Sequence, residues 1–178
     1  MRDIPFAAPD QNIRLIPANQ GTALTDKPLE WSLELWGEGK EEFNADDWHK
    51  YYKKVLTSSY EKWDTTGDDQ ELLFLALKAK DEVDEVVAAI GLSDFDDLEE
   101  YRHLKPWLCA FVVKPELRGS GIGSLVLSRM EDIARSYGVH TVHLWTEDQS
   151  AFYIKRGYRQ IDQLIKPGRL LHILRKQL

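Results

Sequence analysis

The stretch Trp107-Leu-Cys-Ala-Phe-Val-Val-Lys-Pro-Glu-Leu-Arg-Gly-Ser-Gly-Ile-Gly-Ser124 constrains the fold of this chain more than any other. Leu108 to Val113 is a short apolar run rich in β-formers and reads as a strand. Pro115 cannot donate a ladder hydrogen bond, so the strand should end before it. Gly119, Gly121 and Gly123 follow in alternation, and a helical pattern then runs over 122–137 with Leu125, Val126, Met130 and Ile133 on one face. Gly138 fits as its C-cap. Such a helix points its unpaired N–H groups and the positive end of its dipole into the glycine loop. Strand, bare loop and helix N-terminus together make an anion site, most often one for phosphate.

Taken alone, the loop leaves several owners open. Gly119-Ser-Gly121 starts like the dinucleotide-binding G-x-G-x-x-G, yet Ser124 stands at the third glycine and the stretch lies late in the chain. A nucleotide P-loop needs Gly-Lys-Ser/Thr after it, and none follows. A tight βα connection could use the glycines for its turn alone, although three in alternation are more than a turn requires.

The other elements can be read around this centre. Ile13 to Pro17 is a first strand and Ala18 to Thr25 a loop. Pro28 suits a first helical turn, with Leu29, Leu33 and Trp36 at helical spacing, and Gly37 and Gly39 stop that helix. Asn44 with Asp47 resembles a capping box for a second helix over 45–61 carrying Trp48, Tyr52, Val55 and Leu56. Strands follow at 71–80 and 86–92, joined through a hairpin at 81–85, and 93–105 is an acidic loop before the apolar strand. After the central helix come a strand over 140–146, a short helix over 148–156 closed by Gly157, and strands over 158–165 and 169–175. The order is β-α-α-β-β-β-α-β-α-β-β, an α/β chain (an α+β mixed sheet) with helices on both faces.

A length of 178 residues with 43% apolar and 30% charged residues is most simply one soluble domain spanning 1–178. No apolar run approaches the ~18 residues of a membrane span, and the first twelve residues lack a signal peptide's basic start and apolar middle. A single cysteine, Cys109, excludes an internal disulfide and suits a reducing compartment, the cytoplasm by default. The net charge of −7 is unevenly spread: residues 1–113 hold 12 basic and 24 acidic side chains, residues 114–178 hold 11 and 6. The glycine loop opens the positive part, and the negative part would suit a cationic partner. The alternative is that acids such as Asp96, Asp97, Glu99 and Glu100 are simply solvated surface. No basic run is interleaved with aromatics, which speaks against nucleic acid.

Val113-Lys-Pro-Glu-Leu-Arg-Gly-Ser-Gly-Ile-Gly resembles motif A of the GNAT superfamily of N-acetyltransferases, whose core is Arg/Gln-x-x-Gly-x-Gly/Ala, here Arg118, Gly121 and Gly123. Downstream, Ala151-Phe-Tyr-Ile-Lys-Arg-Gly-Tyr158 resembles the family's motif B. Motif identity covers about residues 107–160, and the element order over the whole chain is also the family's. The resemblance implies a seven-stranded mixed sheet splayed between the fourth and fifth strands, with acetyl-CoA in the gap as co-substrate and no metal. It implies that the backbone of Phe111, Val112 and Val113 pairs with the pantetheine arm, and that the amides of Gly119, Ser120, Gly121, Ile122, Gly123 and Ser124 cradle the pyrophosphate with Arg118 at the entrance. An amine, on a small molecule or peptide, attacks the thioester directly. Tyr153 matches the family's general acid, protonating the departing thiolate. A non-catalytic acyl-CoA-binding module would keep Arg118 and the glycines but need no Tyr153.

Two departures from the family pattern matter. Histone-acetylating members carry a glutamate base near the head of the motif A strand, where this chain has Trp107, so the base is unassigned among Glu147, Asp148, His143 and a water chain. His140 and His143 read first as structural strand residues. Cys109 reads as a buried small hydrophobe, not a nucleophile. Trp31, Trp36, Trp48 and Trp63 read as core or pocket wall. The segment Thr146-Glu-Asp-Gln-Ser-Ala-Phe-Tyr153 resembles the actin N-terminal acetyltransferase branch, which takes acidic N-termini; the acidic first part of this chain argues for a cationic acceptor instead. No membrane partner is implied, and a homodimer is left open.

Overall fold

The computed structural model describes residues 12–37, 43–80 and 82–178. The elements are β1 (Ile13–Pro17), α1 (Asp26–Trp36), α2 (Ala45–Val55), β2 (Glu71–Lys80), β3 (Val83–Ser93), β4 (Trp107–Val113), α3 (Ile122–Ser136), β5 (Thr141–Thr146), α4 (Ser150–Ile154), β6 (Arg159–Lys166) and β7 (Arg169–Gln177). This is the order that the sequence patterns predict. The strands form one sheet in the order β1-β2-β3-β4-β5-β7-β6, and only the β4–β5 pairing is parallel. Gly39 and Asp81, read as a helix stop and a turn residue, lie outside the described residues.

Period-two alternation along β2 explains the layers. Leu73, Leu75 and Leu77 face Trp31, Trp48, Tyr51, Tyr52 and Val55 of α1 and α2. Their neighbours Leu72, Phe74 and Ala76 face Ile122, Val126, Leu127 and Met130 of α3. With both faces covered, the strand reads as a continuous apolar run. A third apolar group, Leu98, Tyr101, Trp107, Leu171 and Ile173, packs the loop ahead of β4 onto the C-terminal strands.

Local boundaries follow specific contacts. The Asn44 side chain accepts from the amides of Asp46 and Asp47, and Asp47 accepts from the Asn44 amide, which completes the capping box. The second helix stops at Val55 instead of running to residue 61, because the Tyr60 hydroxyl folds back and donates to the Val55 carbonyl at 2.9 Å. That hydroxyl also accepts from the Leu73 amide at 3.2 Å, so the turn is tied to the sheet. β3 starts at Val83, inside the expected connection, because Val83, Asp84 and Glu85 pair in register with Lys80, Ala79 and Lys78, and Lys78 opposes Glu85. The last helix is also shorter than the pattern suggests, Ser150–Ile154, with Gly157 at φ +89° closing the turn after it.

Met130 is fully buried between α3 and the sheet. Met130→Ala should lower the unfolding free energy by about 2–5 kcal/mol. Urea titration checks this, and a loss well under 1 kcal/mol would contradict the packing described.

Candidate active site

The site starts where β4 leaves β5. The two strands are in register only at Trp107↔His143, and the His143 amide donates to the Pro106 carbonyl at 3.0 Å. Beyond that point β4 stays with β3 as far as Val113, and β5 stays with β7 over Thr141–Thr146. The halves of the sheet therefore part, and one edge of β4 faces a wedge.

The hinge end of the wedge is apolar and fixed. Trp107 is 1% exposed, and its indole N–H donates to the Leu104 carbonyl at 2.6 Å. The His143 ring lies 5.7 Å from the Trp107 ring, and its Nδ1 is 3.2 Å from the Pro106 carbonyl. Burial, with the charges of Arg175 and His103, holds the imidazole pKa below the ordinary histidine value, against the opposing bond to Pro106. His143 thus acts as a neutral fastening of the hinge.

Further along, β4 carries a bulge. Its register against β3 shifts so that Ala110 and Phe111 together oppose Ile90, and Ala110 sits at φ +47°. That conformation costs an alanine on the order of 1 kcal/mol. The bulge re-aims the backbone at the wedge. Arg118 Nε donates to the Val113 carbonyl at 3.1 Å, so the end of β4 is tied to the loop that follows.

Phe111, Val112 and Val113 thus lie on β4, Arg118 to Ser120 in the loop, and Gly121 to Ser124 at the head of α3. Gly119 and Gly121 adopt φ +75° and +90°, where a β-carbon would be strained. The first helix amide bonded to a preceding carbonyl is Leu125, to Gly121 at 3.3 Å, so Ile122, Gly123 and Ser124 present the open N-terminal amides. A second cation stands here: Arg156 Nε donates to Ser124 Oγ at 3.0 Å, and its guanidinium lies 3.7 Å over the Phe152 ring. Sequence reasoning passed over Arg156, although its place just before Gly157 in the second motif marked it.

On α4, Tyr153 packs edge-on against Phe152 and Tyr158 at 5.0 and 5.5 Å. Burial, then the negative charge of Asp96, pushes its pKa well above the usual tyrosine value, and Arg156 pulls slightly the other way. Across the wedge, Tyr51 of α2 reaches the sheet at Gly91, its hydroxyl 3.9 Å from Cys109 Sγ. A β-carbon at Gly91 would fall inside contact distance of that hydroxyl and 2.8 Å from the sulfur. Burial and the carboxylates of Asp96 and Glu71 raise the Cys109 pKa, so the thiol stays protonated and is no nucleophile.

Among the base candidates, Glu147 is ion-paired with Arg169 at 2.9 Å, Asp148 is exposed, and His143 is committed to the hinge. The acidic loop divides: Glu99 and Glu100 are exposed surface, whereas Asp96 and Asp97 are partly buried. Burial, then Asp97 beside it, raises the Asp96 pKa well above the ordinary carboxylate range. Two surface depressions, of about 450 Å³ on α1 (Asp26, Leu29, Glu30, Leu33, Glu34) and about 490 Å³ at the β2–β3 turn, include none of the wedge residues. Among the described residues there is no group of three or more His, Cys, Asp or Glu placed to hold a metal, and no helix long and apolar enough to cross a membrane.

A sequence profile described as the acetyltransferase (GNAT) family matches residues 30–158. No curated protein matches the chain in sequence. In fold, it is similar to an aminoglycoside 6'-N-acetyltransferase complexed with coenzyme A, at 16% identity and TM-score 0.66, covering 92% of this chain and 96% of that one. It is similar to a spermidine N-acetyltransferase from Vibrio cholerae in complex with CoA and spermine, at 15% identity and TM-score 0.65, covering 94% and 96%. A third likeness is to an Elizabethkingia anophelis family member with acetyl-CoA bound, at 17% identity and TM-score 0.60, covering 95% and 100%.

Two measurements follow from this geometry. Gly91→Ala should destabilise the fold by about 1–3 kcal/mol, and Tyr51→Phe in the same chain should recover part of that. Equal costs in both backgrounds would exclude a close approach of the hydroxyl. For His143, a lowered folded pKa means that the unfolded chain binds its proton first. The neutral ring's contribution is then complete above pH ~6.5 and is lost as pH falls below it. Imidazole NMR titration should place the midpoint below 6.5; a midpoint at or above that value contradicts the burial argument.

Proposed function

Because the chain belongs to the GNAT family of acetyltransferases, we propose that it transfers the acetyl group of acetyl-CoA to a primary amine, and that residues 1–178 form one such domain in the cytoplasm. Attack is direct, in a ternary complex, and the acceptor is a cationic small molecule or peptide. The observation that carries this reading is the parting of β4 from β5, with open helix amides at one end of the wedge and Tyr153 beside it.

The residues present suit the donor. Gly119 has open space where a β-carbon would stand, and the contacts a β-carbon would make at Gly123 are ordinary ones of 3.7–3.8 Å, so the loop surface is bare backbone. Its open amides, the α3 dipole and the two guanidiniums of Arg118 and Arg156 favour a pyrophosphate. The free edge of β4 at Phe111 to Val113 offers hydrogen bonds to an extended amide-bearing arm. Acetyl-CoA supplies the activated acyl carbon and the thiol leaving group. The β4 amides near the bulge polarise the carbonyl as charge gathers on its oxygen. Tyr153, kept protonated by its burial, donates the proton that the leaving sulfur needs.

The acidic surplus of residues 1–113 supports a cationic acceptor, because α1, α2 and the loop ahead of β4 flank the wedge on that side. The relatives complexed with CoA act on an aminoglycoside and on spermidine, both polycations. The Thr146 to Tyr153 segment resembles the actin N-terminal branch, and we draw on it for the placement of Tyr153, not for the acidic substrate.

Thiol release from acetyl-CoA over a panel of polyamines, lysine peptides and neutral or acidic amines tests the reading. Cations should be the better acceptors, and Tyr153→Phe should lower kcat by about 10²–10⁴-fold with little change in the acetyl-CoA KM. Unchanged turnover in that variant removes the general acid. Tight CoA binding with no turnover of any amine would make the protein a binding module.

A further inference from the structure

Tyr153 stands on a helix that cannot hold itself. α4 has five residues, its N-cap Gln149 makes no side-chain capping bond, and helices shorter than ~12 residues are marginal in water without outside contacts. The place of the tyrosine is therefore set by what fastens α4 to the rest of the fold. Resting on the transferase reading above, we propose that Arg156 is a positioning residue: its guanidinium ties the end of α4 to the head of α3, so that the loop holding the donor's pyrophosphate also fixes Tyr153.

Arg156 closes α4 twice. Continuing the helix would take its amide to the Phe152 carbonyl, four residues back. The amide donates instead to the Tyr153 carbonyl at 2.8 Å. The side chain of the same residue then serves the carbonyl so released: Nη1 donates to the Phe152 oxygen at 2.5 Å. The rest of the guanidinium crosses to α3. Nε donates to Ser124 Oγ at 3.0 Å, and Nη2 donates to the same oxygen. Its central carbon lies 3.7 Å from the centre of the Phe152 ring. That ring meets Tyr153 edge-on at 5.0 Å and lies 6.5 Å from the Phe111 ring of β4. A β-carbon at Gly123 would stand 3.7 Å from its edge. One side chain thus joins the acid-bearing helix to the head of α3 across 32 positions of sequence, with Phe152 packed between them and β4.

The joint suits a guanidinium. Its planar fork holds donors on three nitrogens, and all three are engaged here, two on Ser124 and one on Phe152. A lysine would keep the charge but carries one nitrogen, which cannot serve both partners in this plane. Ser124 belongs to the open end of α3, beside the amides that suit a pyrophosphate. An anion seated there orders the head of α3, and Arg156 carries that order to α4. Coupling of this kind is reciprocal, so a loosened α4 slackens the head of α3 in turn. What the tie protects is the approach of the phenol to the leaving sulfur. A displacement of about 1 Å in a reacting group can cost on the order of 10²-fold in rate. Donor affinity, which rests on backbone amides and charge, depends far less on where the tyrosine points.

The test measures thiol release from acetyl-CoA with spermidine, beside CoA affinity by calorimetry. Arg156→Lys and Ser124→Ala are each made in wild type and in Tyr153→Phe, so that the comparison survives if one of the two does not fold. In wild type, Arg156→Lys should lower kcat by about tenfold or more while the CoA Kd moves by less than about threefold. Ser124→Ala opens the other end of the tie and should lower kcat in the same direction. In Tyr153→Phe, where no phenol is left to place, either substitution should cost less than about twofold more. Wild-type kcat in Arg156→Lys would mean that charge alone is needed. A CoA Kd weakened by about tenfold with wild-type kcat at saturating donor would make Arg156 a phosphate ligand only. Equal kcat losses with and without the phenol would make the tie a general support of the fold. Each of these overturns the positioning role and leaves the transferase standing. Unchanged turnover in Tyr153→Phe removes the acid and this role with it, and a wild type that turns over no amine overturns the transferase as well.

Discussion

The arrangement at the wedge depends on β4 being paired along one edge only. A central strand in a sheet normally spends the amides of both edges on its neighbours. Here the β3 edge is taken, and the other edge meets β5 at Trp107↔His143 and then loses it. The hinge holds because its polar atoms are accounted for and its apolar ones are buried. The Trp107 indole is bonded to Leu104, the His143 ring to Pro106, and Leu98, Leu171 and Ile173 pack around them. Beyond the hinge, the bulge at Ala110 twists β4 away, and Arg118 fastens its far end to the glycine loop. The separation is thus built by contacts at both ends of one strand.

That separation sorts charge as well as shape. The glycine loop, the α3 N-terminus, Arg118 and Arg156 gather positive potential at one end. The carboxylates of Asp96, Asp97 and Glu71 are partly buried, with Glu71 paired to Lys54 at 3.0 Å.

Much of the frame was legible because it rests on local rules. Pro115 and the glycines marked the end of β4 and the loop, Asn44 with Asp47 marked the start of α2, and the apolar runs marked the strands. What was illegible rests on contacts made across the chain. Ala110 carries no residue-type mark of positive φ, so its bulge is set by β3 and by the parting from β5. The early stop of α2 comes from Tyr60, whose hydroxyl joins the Val55 carbonyl to a strand residue, Leu73. Asp96 looked like its exposed neighbours Glu99 and Glu100. Its backbone carbonyl is held by the Trp145 indole, which is 49 positions away in sequence.

Tyr153 on α4 and Asp96 on the loop ahead of β4 belong to different elements, yet burial and shared charge shift both in the same direction. A tyrosine whose pKa is raised by burial is secure as a proton store but slow to release one. The Asp96 carboxyl is raised in the same way, by burial and then by Asp97 beside it. The charge of Asp96 adds to burial in raising the Tyr153 pKa, so the phenol keeps its proton. Cys109 shares that field, and the same negative charge keeps its thiol protonated. A thiol held protonated in this way is a poor nucleophile.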